Sequence, residues 1–390
     1  MSPPPFIYLD HNATAPLRPE ARAAMLAALD DGWGNPSSIH GPGRRARDIV
    51  ERARRQVAAL LGALPEEVVF TSGGTEGDAL CVRGLGAATG RVLSTEIEHP
   101  AVAAALDELA GQGRPVVRLP GGARGVLDPE VLEAALEAGG AALVTVAAAN
   151  HELGTMNDVG ALAALAHRQG ALFHCDAVQA VGRIPFDVRR NGVDAATVSA
   201  HKLGGPKGVG AVYVRRGVDL RPLLGGHQER ERRGGTENVA AIAGFGAACA
   251  AAARDGEESA ARAARLRDRL EARIVESVPE TRVHGDRRRR VPGTSNLGFA
   301  GADGRLVMIG LDLEGVAVST GAACTSGSVA PSPVLRALGL PDERAREAVR
   351  FSLGAENTAE EIDRAAAAVA RVVARVRAAG DAMPAWARAR

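Results

Sequence analysis

Ser199-Ala200-His201-Lys202-Leu203-Gly204-Gly205-Pro206-Lys207-Gly208, directly after the apolar run Ala195-Ala196-Thr197-Val198, is the segment from which the rest of the chain opens up. It holds both lysines of the protein, although Lys and Arg together number 47. Arginine replaces lysine wherever only a solvated positive charge is wanted, but its delocalised guanidinium cannot act as a nucleophilic amine. Chemistry that forms a Schiff base with a carbonyl needs lysine. Lys202 follows the strand-like run and is the stronger nucleophile candidate. Lys207, in a Gly-Pro-Lys-Gly turn, reads as a turn residue or as a charge near phosphate or loop carbonyls. A lysine at a strand end, flanked by His and Gly, points to a covalently held carbonyl cofactor; the plainer reading is that an arginine-rich composition left two lysines here by chance.

Outward from this segment, short apolar runs alternate with helix-like stretches: Val68-Val69-Phe70, Val92-Leu93, Val116-Val117, Leu143 to Val146, Ala171-Leu172-Phe173, Ala196-Thr197-Val198 and Ala211 to Val214. Seven such runs separated by helices predict an α/β protein with a mostly parallel seven-stranded sheet covered on both faces. Sites in such folds gather beyond the carboxyl ends of the strands. After Gly244 an Ala-, Arg- and Glu-rich stretch to about Ser277 reads as a helix leaving this domain. Strand-like runs near Ser295-Asn296-Leu297 and Gly315 to Val318, with a last helix from about Glu360 to Ala378, make a smaller α+β domain. The expected division is a large domain over 15–255 and a small one over 1–14 and 256–390. The charge run Arg287 to Arg290 reads as a solvated loop.

Bulk properties narrow the class. The 390 residues allow two domains sharing a large core, and 46% apolar with 24% charged residues is ordinary for a globular protein. A net charge of +1 gives no electrostatic argument for nucleic acid or a membrane surface. No long apolar span and no leader-like start are seen, so a cytoplasmic enzyme is expected. Four widely spaced cysteines without a CxxC pair indicate neither a zinc site nor a disulfide framework. Cys81, Cys175 and Cys249 read as small buried hydrophobes.

Each strand end carries a candidate and a blander alternative. Phe70-Thr71-Ser72-Gly73-Gly74-Thr75-Glu76-Gly77 has the small residues of a phosphate cup at a helix N-terminus, or is an ordinary helix cap. Asp176 could keep a heteroaromatic nitrogen protonated and so turn a ring into an electron sink, with Gln179 one helical turn away reaching a ring oxygen; otherwise it caps a helix. His99 could stack on a ring and exchange protons, or be a structural histidine. Cys324, in Val318 to Ser328, a run of small residues with little to anchor it in a core, could travel as a reactive thiol or be incidental. Arg350 interrupts an apolar run and needs a partner, either a substrate carboxylate or an internal ion pair.

Taken in order, these residues resemble the cysteine desulfurases of the class V aminotransferase group, enzymes of fold type I that use pyridoxal 5′-phosphate. The resemblance runs from Tyr8-Leu9-Asp10-His11-Asn12-Ala13-Thr14 through Gly34-Asn35-Pro36-Ser37-Ser38 and the cup to Ser199-Ala200-His201-Lys202. It continues through Arg233-Gly234-Gly235-Thr236 and the cysteine segment to Arg350-Phe351-Ser352-Leu353-Gly354. It implies that Lys202 holds the cofactor, Asp176 meets its ring nitrogen, Gln179 its hydroxyl and His99 its face, with Gly74, Thr75, Ser199 and His201 on the phosphate. It implies further that Thr236 reaches the phosphate of a neighbouring subunit in a homodimer, and that Asn35 and Arg350 hold the carboxylate of L-cysteine. Lys202 or His99 would take the α-proton. Cys324 would take the sulfur as a persulfide for an iron–sulfur scaffold or another acceptor, with no metal site of its own beyond a transient iron–sulfur contact through Cys324. The chain departs from the family at Asn150-His151-Glu152, where a second asparagine usually contacts the ring, and at Ala79, often Asn. A selenocysteine lyase or another enzyme of this fold, and a non-catalytic assembly partner, are the alternatives; a dinucleotide-binding oxidoreductase lacks its GxGxxG.

Overall fold

The computed structural model describes residues 6–320 and 330–382, so Cys324 lies outside the described residues. Eight strands come first in the chain: β1 (Ile7–Tyr8), β2 (Val68–Thr71), β3 (Arg91–Thr95), β4 (Val116–Leu119), β5 (Ala141–Ala147), β6 (Leu172–Asp176), β7 (Ala195–Ser199) and β8 (Gly210–Val214). Within the described residues β2 to β8 form one seven-stranded sheet in the order β2-β8-β7-β6-β5-β3-β4. The pairs β3–β4, β3–β5, β5–β6 and β6–β7 are parallel, whereas β8 runs antiparallel to both β7 and β2. The mostly parallel sheet expected from the apolar runs is therefore present, with one reversed strand.

Residues of β2, β7 and β8 are buried throughout, which is why these strands read as continuous apolar runs rather than alternating ones. One face packs Phe173, Tyr213 and Phe245; the other packs Val69, Val82, Leu106 and Val212. Because β8 is reversed, β2 runs with β7, and the carboxyl ends of β2, β3, β5, β6 and β7 share one edge. The chain order switches between β3 and β5, where a crevice is expected. Gly210 opens β8 at that edge: a Cβ there would come within 2.7 Å of Val198 O and 2.8 Å of the Gly73 carbonyl carbon, so only glycine lets the three backbones meet.

A second core holds Leu9, Leu297, Phe299, Phe351 and Val369. It is built on the antiparallel sheet β12-β10-β9, formed by β9 (Thr281–Val283), β10 (Thr294–Phe299) and β12 (Ala348–Ser352), while β11 (Val316–Ala317) pairs in parallel with β1. Both cores share the helix Val239–Ser277, capped by Asn238 accepting from Ala241 N. Ala241, Ile242, Phe245 and Cys249 enter the first core, and Leu266, Leu270 and Ile274 the second. Residue 255 falls inside this continuous helix. Of the charge run 287–290, the first three arginines are exposed but Arg290 is buried, contrary to the solvated-loop expectation. Its guanidinium meets the Glu271 carboxylate, Nη2 donating to Oε2 at 2.9 Å, and Ser295 donates to the same carboxylate at 2.6 Å. A buried charge is tolerated only when paired in this way.

Candidate active site

Five strand ends, those of β2, β3, β5, β6 and β7, deliver their polar residues to one place. β7 ends in a single turn, Ala200–Lys202, which directs Lys202 toward the N-terminal segment, where Nζ donates to the carbonyls of Asn12 at 2.6 Å and Ala13 at 2.7 Å. His201 Nδ1 lies 3.2 Å from Thr14 Oγ1. Burial, and then the charges of Lys202, Lys207 and Arg183, push the His201 imidazole down to about 4, so it is neutral at ordinary pH.

β2 runs into the helix Gly74–Gly84, whose N-terminus faces a cavity of about 440 Å³ lined by Gly74, Thr75, Ser199, His201 and Lys207 among others. The free N–H groups and the helix dipole favour an anion here. Glu76 does not occupy the cup, because its carboxylate accepts from Ser72 N at 2.7 Å and from Arg233 Nε at 2.9 Å. Ser199 Oγ is buried without a partner among the described residues. A Cβ on Gly74 would lie 3.0 Å from Val178 Cγ2 and 3.6 Å from Ser199 Cβ, so glycine keeps this corner open.

β6 ends in Asp176, buried, with Oδ1 accepting from Val178 N at 2.9 Å. Burial raises its pKa, opposed by His99 and Lys202. Gln179 donates to Asn12 O at 3.0 Å, and its Oε1 is buried without a partner among the described residues.

The loops after β3 and β5 bring two histidines together. His99 caps the helix Pro100–Gly111, its Nδ1 accepting from Ala101 N at 3.2 Å. Its ring stands edge-to-face against His151, with centroids 5.1 Å apart and planes at 76°. Asn150 shapes the second loop by donating to Ile97 O and accepting from Glu152 N and Leu153 N. Arg350, on β12, donates from Nη2 to Asp10 Oδ1 at 2.7 Å and from Nη1 to His151 O at 3.0 Å, leaving Nε buried without a partner among the described residues.

The structure thus gathers Lys202, Asp176, Gln179, Ser199, His201, Gly74, Thr75, His99, His151 and Arg350 along one sheet edge. Asn35 and Thr236 stand apart: both are exposed, neither lines the cavities beside Lys202, and Asn35 Oδ1 accepts from Ser37 N. Sequence reading assigned no role to Asn12, which bridges His151 O, Thr294 Oγ1 and Arg183 while its carbonyl receives Lys202 and Gln179. Nor did it assign one to Glu152, whose carboxyl accepts from Ser332 Oγ at 2.6 Å and is pushed up to about 7 by burial against the opposing pull of Ser332 and Arg350. The one signal was the polar run Asp10 to Asn12 inside an apolar N-terminus.

Comparison with known proteins agrees with this geometry. Residues 7–365 match the family described as Aminotransferase class-V. The chain belongs to that family, on its cysteine desulfurase branch. A protein named cysteine desulfurase from Trichormus azollae is 45% identical over 376 residues, covering 95% of this chain and 94% of its own. Among solved structures, a NifS-like protein superposes with a TM-score of 0.88 at 32% identity, covering 95% of this chain and all of its own. SspA in complex with cysteine superposes with a TM-score of 0.79 at 30% identity, covering 90% of this chain and 100% of its own.

Proposed function

We propose that this protein is a cysteine desulfurase that converts L-cysteine to L-alanine and passes the sulfur to Cys324 as a persulfide, using pyridoxal 5′-phosphate. The observation that carries the reading is the arrangement around Lys202: an amine, a buried carboxylate at Asp176, and two buried polar atoms without partners among the described residues, Ser199 Oγ and Gln179 Oε1, at neighbouring strand ends. Unpaired buried polar atoms are costly and uncommon. A phosphate and a polar aromatic ring supply the partners these atoms lack, so the residues fit the cofactor.

In this reading the amine of Lys202 holds the cofactor covalently, while Gly74, Thr75, Ser199 and His201 receive its phosphate, joined by Thr236 of a neighbouring subunit in a homodimer. Asp176 meets the ring nitrogen, Gln179 and His151 its polar edge, and His99 its face. When bound, the group supplies an electron sink for the substrate's α-carbon. Arg350 and Asn35 bind the substrate carboxylate; Arg350 is already fixed by Asp10, so little side-chain freedom is lost on binding. The released Lys202 amine or an imidazole carries the α-proton. The Cys324 thiolate takes the substrate sulfur, leaving alanine and a persulfide, and an iron–sulfur scaffold or another acceptor consumes it. No helix of the described residues is long and apolar enough to cross a membrane, in keeping with the cytoplasmic setting proposed.

Incubation with L-cysteine and a reductant tests this reading through alanine and sulfide. Cys324→Ala should keep the yellow colour and release almost no sulfide. Equal release by both proteins would remove Cys324 as the acceptor, and no alanine from the unaltered protein would remove the activity.

A further inference from the structure

His99 and His151 face one another across the site, yet their rings are held in different ways. The Nδ1 of His99 is already an acceptor, receiving the Ala101 N–H that caps the helix Pro100–Gly111. Its neutral ring therefore carries its proton on Nε2, and taking a second proton on Nδ1 costs the cap. His151 is fixed through its backbone instead. Its carbonyl accepts from Arg350 Nη1 at 3.0 Å and from Asn12 Nδ2 at 3.2 Å. Among the described residues neither of its ring nitrogens makes a hydrogen bond; Nε2 stands 3.7 Å from Glu152 Oε1, beyond hydrogen-bond reach. The ring that is rigidly placed but uncommitted is His151, and it stands where the family's asparagine cannot accept a proton.

We infer that His151 accepts the proton of a reacting thiol in this site, and that His99 is a fixed Nε2–H donor. The inference rests on the desulfurase reading. In the step, a thiol S–H bond breaks, its electron pair stays on sulfur as the thiolate that attack on sulfur requires, and the proton forms the N–H bond of His151. No oxidant or reductant enters.

The surrounding charges make this base responsive to substrate. Burial, then His99, Arg350 and Lys202, hold the His151 imidazole well below its ordinary value, so the ring is proton-free in the resting protein. Glu152, the remaining titratable group against it, has its carboxyl pushed up to about 7 by burial, which weakens the negative charge it offers the ring. Asp176 faces His99. A substrate carboxylate on Arg350 offsets one of the two cationic neighbours of His151, Arg350 and Lys202, which raises the basicity of the ring as substrate binds.

Nitrogen-15 NMR of histidine-labelled holoenzyme, combined with the pH dependence of sulfide release, tests this. His99 should remain the Nε2–H tautomer, and adding L-alanine, which brings a carboxylate but no thiol, should move the His151 titration upward. His151→Asn, the family's residue, and His151→Gln should lower kcat roughly 10- to 100-fold and remove the acid limb of the pH profile, with a smaller change in KM. A His99 ring protonated on Nδ1, a His151 titration indifferent to L-alanine, or two variants that keep both kcat and the acid limb would each overturn the inference while wild-type turnover leaves the desulfurase reading standing. An unaltered protein that releases no sulfide overturns the reading and the inference together.

Discussion

The amine of Lys202 and the carbonyl of Asn12 are 2.6 Å apart, although 190 residues separate them in the chain. Asn12 also receives Gln179 on its carbonyl and donates from Nδ2 to His151 O and to Thr294 Oγ1 at 3.0 Å. One asparagine from the N-terminal segment thereby ties the loop after β5, the turn after β7 and β10 together. Asn12→Ala keeps the carbonyl but leaves His151 O with one donor fewer and Arg183 without its side-chain acceptor. It should lower unfolding stability by about 1–3 kcal/mol in urea titration and weaken cofactor retention. An unchanged midpoint would show that the side chain is dispensable.

Arg350 should govern substrate affinity more than turnover. Its guanidinium is buried, anchored on Asp10 and His151 O, and its Nε has no partner among the described residues. Lysine lacks the planar fork that meets a carboxylate through two bonds. Arg350→Lys should raise KM for L-cysteine by about 10- to 100-fold, the equivalent of one charge-assisted hydrogen bond or two, with a smaller change in kcat. Steady-state kinetics separates the two, and an unaltered KM would place the substrate carboxylate elsewhere.

The ion pair of Arg54 and Glu229 should matter for folding rather than chemistry. Both groups are buried, the two bonds measure 2.7 and 2.8 Å, and the same carboxylate receives Phe70 N at 2.8 Å. Glu229→Ala leaves a buried guanidinium unpaired, so a loss of about 3–5 kcal/mol is expected. Glu229 and Arg230 have positive φ, and the pair holds this strained turn against β2, so the loop leading to Thr236 should loosen with it. Denaturant unfolding reads the first effect and proteolysis of the loop the second.

Glu98 gives a pH prediction with a definite sign. Burial, opposed by Thr95 and the Ala147 N–H, leaves its carboxyl at about 8 against an ordinary 4.5. Between those values the folded protein binds more protons than the unfolded chain, so this group's contribution to stability falls as pH rises, by at most about 1.4 kcal/mol per pH unit. Glu98→Gln mimics the protonated form: it should be near neutral at pH 5 and stabilising at pH 9 relative to the unaltered protein. Denaturation midpoints at the two pH values check this, and parallel curves for the two proteins would mean that Glu98 is ionised in the fold.

All seven strands of the main sheet were legible, most because burial on both faces makes them continuous apolar runs and the partly buried β4 through its Val116-Val117 pair, and the candidates at their ends followed from the rule that sites lie beyond parallel strands. The three cysteines read as buried hydrophobes are buried, and burial raises their thiol pKa values. What escaped sequence reading depends on partners far along the chain. Arg290 belongs to a charge run until Glu271 is seen facing it, and Glu152 has no role until Ser332 is found against it. Asn12 carries no periodic signal, and only the fold brings three elements to it. Asn35 and Thr236 do not join the cluster within one chain, and the proposed homodimer is where their roles would be decided.

The central claim is that Lys202 is the amine that holds the cofactor. Purified protein saturated with pyridoxal 5′-phosphate, reduced with borohydride and digested for peptide mass mapping, should carry one pyridoxyl group, on Lys202, with Lys207 unmodified and with Lys202→Arg unlabelled. Labelling confined to Lys207, or equal labelling of the Lys202→Arg protein, would contradict the account.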